Sequence, residues 1–316
     1  MGDFMRRKKK VLLLGNTCSG KNDIFDEMIC VSNKRCKRES FKGEYYYKFE
    51  NYELINLPDT YNLIWQQGDD CYVRDYLCFE DYDCAVCVID IADFVNGISL
   101  ALQIMEITDK MVVLINGSPA ENNIDINTGA LTKLLGVPVV KATALSGKGI
   151  NELLEQIYLV ANRIIVNEPK TVFYNNDIEY ALHRTAKGMK GNIETEKSHR
   201  FLALMLLKND SDFNYSFKEH FGRDIFHNGS LRGNLNTAKL MLENKGIGRE
   251  KYEKAIALSI LEKSKSIYDA CITKNITVKK HRKYTFLRAL KYSLASIAAL
   301  AFVAFLIICI YNHSVL

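Results

Sequence analysis

The residues with the clearest chemical promise are Gly15, Asn16, Thr17, Cys18, Ser19, Gly20, Lys21 and Asn22, which directly follow the apolar run Val11-Leu12-Leu13-Leu14. Their spacing nearly matches G-x-x-x-x-G-K-[ST]. In that motif backbone N–H groups cradle phosphate oxygens at a helix N-terminus and the lysine reaches the outer phosphates. Its last position normally brings a hydroxyl to magnesium, and here it is Asn22. An amide oxygen is a bulkier, poorer ligand for that ion, so Asn22 is a weak magnesium ligand and metal-assisted triphosphate binding should suffer. A plain strand-to-helix turn is the competing reading of the same letters.

Three later segments fall where a nucleotide switch would need them. Asn56, Leu57, Pro58 and Asp59 open LPDTYNL at the end of a strand-like run. Asn116 and Gly117 follow MVVLI, and Thr143 and Ala144 follow VPVVKA. In that order they are the places that meet magnesium and γ-phosphate, read the guanine edge, and approach the base from behind. The cofactor expectation is therefore GTP or GDP, with Mg2+ doubtful.

The elements that must carry these residues are legible as alternating apolar runs. VLLLG, CAVCVID, MVVLING and VPVVKA read as short buried strands, and EYYYKF with YELINL as a hairpin-type pair. NDIFDEMIC, VNGISLALQIMEI, TGALTKLLG and GINELLEQIYLVANRI carry apolar residues at helical spacing. Such alternation predicts an α/β fold with a mostly parallel sheet and helices on both faces. Beyond about residue 165 only helical patterns remain, punctuated by Gly or Asn-Asp. The expected organisation is a sheet domain over 9–165, an all-helical domain over 166–278, a basic flank over 279–291, an apolar span over 292–311 and a short tail over 312–316.

Composition agrees with a globular chain: 316 residues, 48% hydrophobic, 25% charged and only 4 prolines. The net charge of +5 is mild and is not spread along an aromatic-rich surface, which argues against a nucleic-acid partner. Nine cysteines without a preceding signal peptide are expected as free thiols in a reducing compartment. Cys84 and Cys87 are spaced C-x-x-C, but inside an apolar run where packing is the expected role.

Tyr292–Tyr311 holds no charged residue and is about 20 residues long, enough to cross a ~30 Å hydrocarbon layer. Lys279, Lys280, Arg282, Lys283, Arg288 and Lys291 precede it, and no Lys or Arg follows. The positive-inside bias predicts a single-pass membrane protein with the N-terminal domains in the cytoplasm and the tail outside, in a bacterial-type inner or plasma membrane.

Five stretches together resemble the cytoplasmic part of the ferrous iron transport protein B family, a GTPase domain plus a helical domain fused to an iron permease. GNTCSGKNDIF is similar to the family's GNPNSGKSTLF, and INLPDTYNL to its VDLPGTYSL. VIDIADFVNGISLALQIMEI, LLGVPVVKATALSGKGINELLEQI and HRFLALMLLKND also have family counterparts. The resemblance runs over roughly residues 9–285. It implies a P-loop GTPase-type sheet, guanine-nucleotide binding by the segments above, and a link to ferrous iron.

The departures from the family pattern fall on the chemistry. Cys18 stands where the family has an Asn associated with potassium, and a thiol is a poor ligand for that hard cation. Asn56 replaces the Asp of D-x-x-G, and Asp59 its Gly. A carboxylate at 59 either repels a γ-phosphate or points to solvent and caps a turn. The family's N-x-x-D becomes Asn116-Gly117-Ser118-Pro119, losing the acceptor for the guanine N1 and N2 hydrogens. The basic segment Cys30–Phe41, where the first switch loop should lie, offers no clear threonine for magnesium. Cys309 and His313 could touch a metal, though packing is the expected role of a lone Cys in an apolar helix.

These changes predict weak or absent hydrolysis, and no catalytic residue is assigned. One reading is a membrane-anchored GTP-binding protein partnering a separate ferrous-iron permease or another membrane protein. A second is a pseudo-GTPase interaction module that no longer binds nucleotide. A third is the cytoplasmic fragment of a split transporter.

Overall fold

The computed structural model describes residues 7–31, 41–65, 69–117, 124–143 and 147–274. Ser118, Pro119, Ala144, most of Cys30–Phe41 and everything from 279 onward, Cys309 and His313 included, lie outside them. Residues up to Thr273 form one compact unit.

A six-stranded sheet organises that unit. Strands β1 (Lys9–Gly15), β2 (Lys42–Tyr47), β3 (Glu50–Asn56), β4 (Cys84–Asp90), β5 (Met111–Asn116) and β7 (Val139–Ala142) lie in the order β2-β3-β1-β4-β5-β7. β1 runs parallel to β3 and β4, with Leu12 opposite Ile55 and Ala85; only β2 is antiparallel, as a hairpin with β3. Parallel central strands are covered on both faces, and so they read as unbroken apolar runs. The side chains of β1 divide accordingly. Leu12 and Leu14 pack with Ala85, Cys87 and Ile98, whereas Val11 and Leu13 pack with Ile24, Met28 and Ile157.

The second of those faces is covered by α1 (Lys21–Val31) and α5 (Ile150–Ala161). The first faces α3 (Phe94–Ile107) and, continuous with it, the helices that follow residue 175. These are α6 (Asn176–Met189), α7 (His199–Lys208), α8 (Ser211–Phe221), α9 (Gly229–Asn244) and α10 (Arg249–Cys271). The expected Asn-Asp punctuation is explicit. Asn209 closes α7 in a left-handed conformation (φ 59°), and Asp210 opens α8 by accepting the Phe213 N–H at 3.0 Å.

Three elements were not anticipated. The helix α2 (Asp69–Phe79) carries so many charged and tyrosine residues that its apolar spacing is diluted. Two three-residue strands, β6 (Ile124–Ile126) and β8 (Ile272–Lys274), pair with each other outside the main sheet, β6 leading into α4 (Thr128–Leu135). The Asn127 N–H donates to the Cys271 carbonyl at 3.0 Å beside them. No helix among the described residues is long and apolar enough to cross a membrane.

All cysteines among the described residues are free. Cys84 and Cys87 face opposite sides of β4, one in each layer of core, so they cannot share a metal or a disulfide. Burial pushes the Cys87 thiol up to about 12 and the Cys84 thiol further still. In native protein at pH 8 both should therefore resist a maleimide reagent that modifies exposed Cys18 and Cys30, as peptide mass spectrometry would read. Labelling of Cys87 at the rate of Cys18 would contradict the buried placement.

Candidate nucleotide site

The sheet changes winding direction at β1, which has β3 on one side and β4 on the other. Crevices beyond the C-terminal ends of strands at such a point are where open α/β sheets take ligands. The loop 16–20 leaves β1 there and enters α1 at Lys21.

Its backbone is shaped by close approaches. Gly20 has φ +77°, and a Cβ there would lie 2.1 Å from the Asn116 amide nitrogen. That amide donates to the Ser19 carbonyl at 2.9 Å, so Asn116, expected as a base reader, serves here as a brace between β5 and the phosphate loop. The Ser19 N–H turns back to the Asn16 carbonyl at 3.1 Å. Asn16 Nδ2 reaches Asp93 at 3.4 Å, in the VIDIADFVN stretch. Thr17 and Cys18 are exposed, while the Asn16 Oδ1 and Ser19 Oγ atoms are buried without a hydrogen-bond partner. Buried orphans of this kind are expected where a polar ligand completes a site.

Cys18 is held at φ +63°, a left-handed conformation that costs a non-glycine residue roughly 1–2 kcal/mol. Asn tolerates that region better. Cys18→Asn is thus expected to stabilise by about 0.5–1 kcal/mol, raising the thermal midpoint by ~1–4 °C. An unchanged or lower midpoint would show that the thiol's packing outweighs the strain.

The replaced residues have found one another. Asn56, at the end of β3, donates its Nδ2 to Asn22 Oδ1 at 2.8 Å. Lys21 is 4% exposed and pairs with Asp59 Oδ1 at 3.0 Å while donating to the Leu57 carbonyl. Burial draws the Lys21 ammonium below its usual pKa, and the Asp59 carboxylate works against that shift. Asp59 therefore neither stands alone nor merely caps a turn in solvent: it is half-exposed and salt-bridged to the phosphate-loop lysine. The Thr60 N–H donates to the Gly15 carbonyl at 3.1 Å, docking the whole segment after Pro58 against the loop.

Further supports lie outside the expected residues. Leu63 N–H donates to Gln103 Oε1 at 2.8 Å, and Lys208 donates to the Ile64 carbonyl at 2.6 Å. Gln103 lies in LALQIMEI and Lys208 in HRFLALMLLKND, stretches whose family likeness was legible although their contact with this segment was not. Gly117 N–H meets the Ala142 carbonyl at 3.3 Å, and Thr143 pairs with Lys148. Asn116, Gly117 and Thr143 thus converge beside the phosphate loop.

Magnesium does not fit the residues present. Asn22 Oδ1 already accepts a hydrogen bond, and neither it nor Asn56 brings negative charge. The nearby Asp59 is paired with Lys21, and no group of three or more His, Cys, Asp or Glu among the described residues could hold a metal. Hard divalent cations need preorganised oxygen ligands with carboxylate charge.

A parallel sheet switching at β1, with a phosphate-type loop joining it to α1, defines a P-loop GTPase-type fold. The model of the family described as ferrous iron transport protein B matches residues 9–157. Residues 9–157, just under half of the chain, are thus similar to the ferrous iron transport protein B family. The Fe(2+) transporter FeoB of Escherichia coli K12 is 27% identical over 217 residues, covering 65% of this chain and 27% of its own length. An Fe(2+) transport protein A/FeoB fusion protein from Porphyromonas gingivalis is also 27% identical, over 65% of this chain and 26% of its own. The chain thus spans about a quarter of the length of the curated relatives it matches. In fold it is similar to the cytosolic domain of the T. maritima FeoB iron transporter in its GMPPNP form. That likeness has a TM-score of 0.66 at 23% identity and covers 84% of this chain and 100% of the other.

Proposed function

We propose that the chain is a membrane-anchored guanine-nucleotide-binding module of the ferrous iron transport type, with weak binding and little or no hydrolysis. The observation that carries it is the Asn56–Asn22 hydrogen bond, which replaces a metal-ligating hydroxyl and its carboxylate support with two neutral amides joined to each other. The phosphate-facing backbone, the Asn116 brace and the buried orphan atoms of Asn16 and Ser19 support retained binding. A solved relative carries GMPPNP and another GDP in the same fold, which favours guanine nucleotides as the ligands. The relatives' names favour a link to ferrous iron, with a separate permease or another membrane protein as partner. The uncharged run 292–311 and its basic flank support a single-pass anchor with residues 9–278 in the cytoplasm.

The test is a titration of the full chain in detergent with GDP, a non-hydrolysable GTP analogue and an ATP analogue, with and without magnesium. Guanine-selective binding that magnesium leaves nearly unchanged, with no phosphate release, is the expected result. Micromolar magnesium-dependent binding with turnover would contradict it. The Lys21–Asp59 pair favours a second reading, an interaction module that binds no nucleotide; absence of binding at millimolar nucleotide would select that one.

A further inference from the structure

We propose that Asp59 is an internal substitute for the terminal phosphate of a nucleoside triphosphate, so that the site takes a nucleoside diphosphate without metal and discriminates against the triphosphate. This rests on the reading that the site binds guanine nucleotides at all.

Lys21 is the one cation the phosphate loop itself supplies, and it is buried at the start of α1. An ammonium has three donors. One goes to the Leu57 carbonyl and one to the Asp59 carboxylate, leaving a single donor for an incoming phosphate oxygen. A diphosphate's outer phosphate can use that donor together with the N–H groups of the first turn of α1, which have no intrahelical partner. A third phosphate would have to occupy the place beyond Lys21 that the Asp59 carboxylate holds. It would bring its own negative charge against that carboxylate, with no magnesium site to neutralise either.

The docking of Asp59 is not a stray side-chain contact. Its segment is fixed by Thr60 N–H on the Gly15 carbonyl, by Leu63 N–H on Gln103 and by Lys208 on the Ile64 carbonyl. A segment whose backbone would respond to the third phosphate in a switch is here held against the loop by its own carboxylate. The ligand this arrangement suits is a nucleoside diphosphate, or a ligand presenting the same two-phosphate chemistry.

The experiment measures, for the full chain in detergent without divalent metal, the dissociation constants of GDP, a non-hydrolysable GTP analogue and inorganic pyrophosphate. Asp59→Asn, nearly isosteric, and Asp59→Gly are measured alongside, with thermal melting to show that each is folded. The natural chain is expected to prefer GDP over the triphosphate by at least tenfold. Both variants should improve triphosphate binding about tenfold or more, equivalent to ~1.4 kcal/mol, with GDP and pyrophosphate changed severalfold at most. Equal gains for diphosphate and triphosphate, or an unchanged preference, would overturn the role of Asp59 and leave the binding reading standing. If the natural chain binds nothing and the variants bind triphosphate, the Asp59 substitution stands and the binding reading falls. If no form binds any of the three, both fall.

Discussion

Replacing Arg200 by Ala is expected to destabilise the protein by about 3–5 kcal/mol. Glu106, on α3, is 1% exposed, and its carboxylate accepts the Arg200 Nε–H at 2.9 Å and the Val172 N–H at 3.1 Å. Arg200, on α7, also donates to Glu179 at 3.0 Å and to the Val172 carbonyl at 2.7 Å, and lies 5.2 Å from the Tyr174 ring. Removing the guanidinium leaves a carboxylate buried without its counter-charge between the sheet's helix layer and the later helices. Burial pushes the Glu106 carboxyl above its usual pKa, and Arg200 works against that. A folded-state pKa raised above the unfolded one means that the folded state binds more protons at intermediate pH. Stability is therefore regained as pH falls through the folded value towards the unfolded one. The cost of Arg200→Ala should accordingly be smaller at pH 5 than at pH 8 in urea unfolding. The paired change Glu106→Gln with Arg200→Met should recover most of it. A loss below ~1 kcal/mol at pH 8 would show that the pair behaves as a surface ion pair.

The second large effect concerns metal. Asn22→Ser, Asn56→Asp and Asp59→Gly together are expected to convert metal-independent binding into binding that magnesium strengthens tenfold or more. The three changes must be made together because the side chains are coupled. Asn22→Ser alone leaves the Asn56 amide without its acceptor, and Asn56→Asp alone sets a carboxylate in place of the amide donor that the Asn22 oxygen accepts from. Non-additivity is thus part of the expectation: the triple variant should exceed the sum of the single changes in binding free energy. Titration of a fluorescent triphosphate analogue with and without magnesium checks this. A triple variant as insensitive to magnesium as the natural chain would place the limit elsewhere, for example at Cys18.

The strands around β1 were readable because a parallel strand buried on both faces has no polar side to interrupt it, as in Val11–Leu14 and Ala85–Ile89. The helix ends were readable because Asn209 and Asp210 perform capping chemistry that is local in sequence. Helix α2 was not, since the buried Arg74 and its neighbours Asp75 and Tyr76 break the apolar pattern that tertiary packing restores. At the site, each altered letter was visible, but the alliances were not. Asn22 with Asn56, and Lys21 with Asp59, join segments brought together only when β3 pairs with β1, so side-chain chemistry taken one position at a time does not reveal that Asp59 is salt-bridged to Lys21. Residues 9–165 and 166–278 read as two domains because strand-like runs stop near residue 165. In the structure Leu12 and Ala85 of the sheet share one continuous cluster with Phe201 and Ile256 of the helices, and a single unfolding transition is expected across them.

The Asn116 amide on the Ser19 carbonyl changes what a motif letter is worth as a diagnostic. A residue that looks like a base reader is needed here to set the curvature of the loop next door, whether or not a base ever arrives. Its presence reports architecture. More informative about ligand are Asn22 and Asp59, whose side chains are engaged inside the protein with Asn56 and Lys21.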